Sequence, residues 1–186
     1  MIKIIGGKFK KTNLEVQKKF VRPTSALKRE AIFSILESYS LKKSINIYKN
    51  KAIIDLYAGS GAVGLEAISR GMAMGYFFEK KIELINILNR NCLKICKKNQ
   101  FKIINDDACS LLKNEFSLPI SIIFIDPPYE KININNIFYI IINDNIKSND
   151  TIIVIETHIN DNIKIPKKLN IINKKSYGKS ALLFLN

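Results

Sequence analysis

DLYAGSGAVGLEA, residues 55–67, places Gly59, Gly61 and Gly64 in the spacing G-x-G-x-x-G. The stretch joins a short apolar strand pattern, KAIIDLY (51–57), to a helical one, AVGLEAISRG (62–71), closed by Gly71. A glycine-rich turn between strand and helix lets backbone and a helix N-terminus approach a ligand closely, and in many folds that ligand is the pyrophosphate of a dinucleotide. The acid ahead of the glycines argues for something else. Asp55 lies four residues before Gly59, where a carboxylate is unhelpful beside pyrophosphate but suits a ligand ending in an ammonium group, held directly or through water.

S-adenosylmethionine (SAM) carries such an ammonium on its methionine tail. Glu79 closes the next strand pattern, MGYFFE, 24 residues after Asp55, where its carboxylate can accept both hydroxyls of a ribose. SAM and NAD both have that ribose, so Glu79 does not choose between them. Asp107, in NDDA at the end of the third strand, can reach an adenine amino group or cap the helix that follows, and the two roles are compatible. The glycine spacing alone is a weak signal.

Outward from the loop, strand and helix patterns keep alternating. FKIIN, ISIIFID and TIIVIET read as strands; ELINILNRNCLKICKKN, DACSLLKNE and INNIFYIIINDNI read as helices. Such alternation implies a parallel sheet with right-handed crossovers. The tail, KKLNIINKKSYGKSALLFLN, reads as two antiparallel strands around Gly178. At the other end, residues 1–21 suggest a small hairpin turning at Gly6-Gly7, followed by a helix over RPTSALKREAIFSILESY, capped by Thr24 or Ser25. A polar connector puts the boundary near residue 44. The chain therefore divides into an extension, 1–43, and an α/β domain, 44–186.

FIDPPYE, residues 124–130, is the most specific stretch. It follows the fourth strand, and ligands of open α/β sheets bind beyond the carboxyl ends of strands. Pro127 and Pro128 remove two backbone donors and fix two φ angles, which stiffens the loop. Asp126 and the carbonyl of Pro127 can accept both hydrogens of an exocyclic amine, and Tyr129 offers a flat face to a base. The lone pair of such an amine is delocalised into the ring. Holding both N–H bonds on acceptors draws the nitrogen towards tetrahedral and aims the lone pair at a methyl donor. A sulfonium donor needs little beyond positioning, so neither a metal nor a histidine base is required. His158, the single histidine, is assigned no catalytic proton.

Charge points to the partner. The net charge is +14, which predicts a polyanion, nucleic acid or an anionic membrane surface. Residues 1–43 hold eleven Lys or Arg against three acids, concentrating the excess in the extension and marking Lys8, Lys10, Lys11, Arg22 and Arg29 as phosphate contacts. Cys92, Cys96 and Cys109 form no C-x-x-C pair and suit a reducing compartment rather than a zinc site. No apolar run approaches the ~20 residues of a membrane span, and MIKIIGGKFKK lacks the core of a signal peptide, so the expectation is a cytoplasmic protein without membrane contact.

Glycine loop, Glu79, NDDA and DPPY, in this order, resemble class I SAM-dependent amino-methyltransferases. With IIGGKFKK, RPTSALKREAIFSIL and YGKSALLFL the resemblance covers nearly the whole chain and narrows to the RsmD family. It implies a Rossmann-like, seven-stranded, mostly parallel sheet with an antiparallel C-terminal hairpin, and methyl transfer from SAM to N2 of a guanine in 16S ribosomal RNA. The expected partner is 16S ribosomal RNA within an assembling small ribosomal subunit, met by a monomer. It places cofactor contacts at Asp55, Gly59, Gly61, Glu79, Asp107 and Ala108, with Tyr57, Ser60 and Lys80 beside them. Target-base contacts fall at Asp126, Pro127, Pro128 and Tyr129, and Thr24 joins the RNA contacts of the extension. The chain departs from the family in a shorter, less Arg-rich basic loop and in Lys81. DPPY alone is shared with adenine-N6 DNA methyltransferases, whose target-recognition insertion has no counterpart here.

Overall fold

The computed structural model describes residues 2–17, 24–128, 133–143 and 146–186. Strands β1 (Ile2–Lys3) and β2 (Asn13–Leu14) form a two-stranded antiparallel hairpin. Helix α1 (Ala26–Lys43) follows, then β3 (Ala52–Leu56), α2 (Ala62–Ser69), β4 (Met74–Phe78), α3 (Ile82–Ile95) and β5 (Phe101–Ile104). The second half runs β6 (Ile120–Ile125), α4 (Ile134–Asn143), β7 (Ile152–His158), β8 (Ile171–Tyr177) and β9 (Ser180–Leu185). DACSLLKNE forms a 3₁₀ turn, Ala108–Lys113, in place of the expected short α-helix.

β3 to β9 make one seven-stranded sheet in the order β5-β4-β3-β6-β7-β9-β8. β5, β4, β3, β6 and β7 pair in parallel, and β9 runs antiparallel to both β7 and β8, so the reversal belongs to β9 alone. This is the parallel arrangement the alternation implies and the Rossmann-like fold the resemblance implies. The central strands are apolar on both faces because both faces are covered: β3 and β6 are buried at every position.

The two glycines that matter most for packing sit at the start of α2. Gly61 holds φ +76 at the helix N-cap, a left-handed conformation that L side chains rarely adopt. Gly64 lets the helix lie on the sheet, since a Cβ there would stand 2.4 Å from the Phe77 ring.

The extension shares the core of the sheet. One cluster of buried side chains runs from Ile4 and Leu14 through Ile32, Phe33 and Leu36 to Ile53, Phe77, Val154 and Phe184. Buried polar groups tie the hairpin down. Glu66 on α2 is fully buried; its Oε2 accepts from Ile5 N at 2.9 Å, and its Oε1 accepts from Gly6 N at 2.7 Å and Arg70 Nε at 3.1 Å. Ser69 donates to the carbonyl of Gly6 and accepts from Phe9 N. Arg29, 1% exposed, donates to the carbonyls of Thr24 and Lys3 at 2.6 and 2.7 Å, pinning the start of α1 to β1. Among the described residues no helix is long and apolar enough to cross a membrane.

Candidate active site

A cleft of about 1380 Å³ opens at the carboxyl ends of the parallel strands and at the β8–β9 turn. Each parallel strand ends in it: β3 delivers Tyr57 and Gly59, β4 Glu79, β5 Asp106 and Asp107, β6 Asp126, and β7 carries Glu156 and His158 at its end.

Along the glycine loop the carboxylates are engaged by backbone. Glu79 Oε2 accepts from Gly59 N at 2.9 Å, while Oε1 accepts from Lys80 N and Lys81 N, both at 2.9 Å. Three N–H groups fix the carboxylate, and a lone pair remains on Oε2 for one further donor. Asp107 caps the 3₁₀ turn by accepting from Cys109 N at 3.1 Å, with Lys80 Nζ 3.9 Å from its other oxygen. Tyr57 stands at φ +64, a backbone conformation uncommon for a bulky residue, and lines the cleft. Behind this wall Asp55, 2% exposed, accepts from Gly64 N at 2.9 Å. Burial pushes its pKa up to about 8; the Gly64 bond opposes this, and the charges of Asp126 and Glu79 add to it.

The far end of the cleft is built differently. Among the described residues Asp126 accepts one bond, a long one of 3.4 Å from the Thr24 hydroxyl. Its neighbour Glu156 is ion-paired with Lys28 of α1 through Oε1, while Oε2 has no partner among the described residues. Burial pushes the Asp126 carboxyl up to about 7, Glu156 pushes in the same direction, and Lys28 and the Thr24 bond oppose it. Two carboxylates, one lysine and a hydroxyl thus share a corner beside the carbonyl-bearing turn Pro127–Pro128, which also lines the cleft.

The cleft brings together Tyr57, Gly59, Glu79, Lys80, Asp107 and Ala108 with Asp126, Pro127 and Pro128. Asp55, Ser60 and Gly61 do not line it: Asp55 and Ser60 are buried, and Gly61 opens α2. Asp55 therefore supports the loop through Gly64 rather than presenting its carboxylate at the wall. Tyr129 and Arg22 lie outside the described residues. Lys8, Lys10 and Lys11 are exposed on the hairpin. Two of the expected RNA contacts are corrected. Arg29 is buried with its guanidinium on two carbonyls, and Thr24, 7% exposed, is turned inward to Asp126. Sequence reading missed Lys28 and Glu156. The available signals were an acid at the carboxyl end of a parallel strand, TIIVIET, and a lysine one turn into a capped helix.

The family described as "Conserved hypothetical protein 95" matches residues 2–186. The chain is 30% identical over 229 residues to a Rickettsia prowazekii protein described as an "Uncharacterized methylase", covering 100% of this chain and 97% of that one. It is 26% identical over 182 residues to "Ribosomal RNA small subunit methyltransferase D" of Escherichia coli K12, covering 97% and 87%. The solved structure of yhhF from Escherichia coli superposes with a TM-score of 0.83 at 25% identity, covering 99% of this chain and 96% of that one.

Proposed function

The chain belongs to the Conserved hypothetical protein 95 family, that is, the RsmD family, and from that premise we propose that it transfers a methyl group from SAM to the exocyclic N2 amine of a guanine in small-subunit ribosomal RNA. The observation that supports the reading is that Glu79, at the end of β4, and Asp126 with Pro127, at the end of β6, line one cleft.

The residues fit SAM. Glu79 keeps acceptor capacity at the wall after binding three backbone amides, Asp107 and Ala108 flank it, and Asp55 sits behind the glycine loop, where a nearby ammonium would favour its charged form. When bound, SAM supplies an electrophilic sulfonium methyl. The protein's part is to present the amine. Asp126 accepts one N–H of the guanine amine and the Pro127 carbonyl the other, which localises the nitrogen lone pair. Transfer would form the N–CH₃ bond and break the S–CH₃ bond, and the proton released by the amine would go to Asp126 or onward to solvent. Lys28, paired with Glu156, biases Asp126 towards its charged form, the stronger hydrogen-bond acceptor. The exposed lysines at positions 8, 10 and 11 meet RNA phosphates.

Mass spectrometry of ribosomal RNA nucleosides from cells with and without the protein tests the reading. N2-methylguanine is expected to drop in small-subunit RNA on removal. Loss of N6-methyladenine from DNA instead would reassign the substrate and leave the amine chemistry standing. Calorimetry checks the donor: SAM binds and NADH does not.

A further inference from the structure

Residues 44–161 contain thirteen Lys or Arg and thirteen Asp or Glu, so the middle of the chain is neutral and the entire net charge of +14 resides at its two ends. The first 43 residues hold one share. Residues 162–186 hold the other: six lysines and no acid. A compositional preference for lysine would not spare the middle in this way.

Each end sends a lysine to one cleft. Ser25 and Lys28 of the extension line it, and so do Tyr177, Gly178 and Lys179 of the β8–β9 turn. Much of the lining between them is acidic, with Glu79, Asp107, Asp126 and Glu156 among its residues. Strand β8 is the outer strand of the sheet, bonded among the described residues to β9 alone, and Asn173 to Ser176 are exposed. Lys174 and Lys175 alternate across it, one opposite Leu183 and one opposite Leu182, so both faces of the edge are basic. Lys175 Nζ lies 5.8 Å from the centre of the Tyr177 ring at the cleft mouth. Among the described residues Lys174, Lys175 and Lys179 make no ion pair.

We propose that the outer edge of the sheet, strand β8 with the turn at Gly178, is a second docking surface for the RNA backbone, acting together with the lysines of the N-terminal hairpin. This rests on the reading that the substrate is RNA, and adds where its phosphates lie. Phosphates repelled by the acidic lining are held on the basic β8 edge beside it, and the target base enters the cleft next to them. Lysine on a sheet edge also prevents strands of other molecules from pairing there. Glutamate serves that purpose equally, so charge reversal separates the two roles.

The test compares two triple variants of equal charge change: Lys174→Glu/Lys175→Glu/Lys179→Glu at β8, and Lys97→Glu/Lys98→Glu/Lys102→Glu at the opposite edge, near β5. The probes are transcribed small-subunit ribosomal RNA and phosphatidylserine vesicles, with SAM calorimetry on each protein. The β8 variant is expected to bind RNA at least tenfold more weakly at about 0.1 M salt, with a log–log salt slope shallower by roughly two to three, near one per phosphate contact. The β5 variant should stay within about threefold of the parent, and SAM binding should match in all three. The milder Lys174→Gln/Lys175→Gln/Lys179→Gln serves if the reversal lowers the melting temperature, and is expected to give a smaller loss of the same sign. Equal losses from both edges, or a β8 variant that loses vesicle binding while keeping RNA, would overturn the second surface. Failure of the parent protein to bind RNA would overturn the substrate reading itself.

Discussion

The two ends of the cleft treat their carboxylates in opposite ways. At the glycine loop, Glu79 is met by three backbone amides and Asp55 by a fourth, so main chain fixes each group. At the DPP turn, Asp126 has one long hydroxyl contact, and Glu156 leans on a side chain from a distant helix. Backbone bonds give a fixed receptacle, suited to a ligand that is the same in every cycle. Sparse bonds leave lone pairs available for the hydrogens of an incoming amine and let neighbouring charges set the protonation state.

The sharpest way to break this contrast is Asp126→Ala. It is expected to lower kcat by on the order of 10²–10³ or more, as loss of a group engaged in the transition state does, while SAM affinity by calorimetry stays unchanged. A parallel loss of SAM binding would show that the two ends are one site with one role. Glu79→Gln attacks the other end. The amide NH₂ must face either Gly59 N–H or the Lys80 and Lys81 pair, so SAM binding should weaken by about 1–3 kcal/mol with a lesser change in kcat at saturating SAM.

Lys28→Met sharpens the comparison through pH. Ionised Asp126 accepts on both oxygens and can take up the proton the amine releases, so the rate rises with pH as the carboxyl loses its proton, around 7. Removing the lysine removes a force that lowers that pKa, so the rising limb should move to higher pH, and Lys28→Arg should return it. The smallest effect concerns Asp55. In the ligand-free protein its pKa is raised to about 8 from an ordinary 3.8, so the folded chain keeps a proton that the unfolded chain releases. The stabilisation is complete below about pH 4 and is lost as pH rises through 8. Asp55→Asn should flatten the fall in Tm between pH 5 and 8, each kcal/mol being worth about 2–4 °C for a chain of this size.

The same contrast governs what could be read in advance. Glu79 and Asp126 are local features, an acid directly after an apolar strand and a stiff motif after another, and strand order alone places both at one end of the sheet. The Lys28–Glu156 pair joins residues 128 apart in sequence, and only the packing of α1 on the sheet creates it. Arg29 was misread although its signal was present. Residues 29, 32, 33 and 36 are spaced i, i+3, i+4, i+7, the buried stripe of α1, so a basic residue on that stripe had to face inward and find acceptors. Charge counting along the chain ignores which way a side chain points, which is why Arg29 joined the phosphate contacts.

The binding of Ile5 and Gly6 to the buried carboxylate of Glu66 has a consequence for amide hydrogen exchange. A hairpin with two-residue strands would, standing alone, open almost continuously and lose its label at once. Here the amides of Ile5, Gly6, Lys8 and Phe9 are held by Glu66 and by the carbonyl and hydroxyl of Ser69, all on α2. Their exchange should therefore track the opening of α2 in the middle of the molecule, and a protease should find the first ten residues cleavable only when that helix lets go.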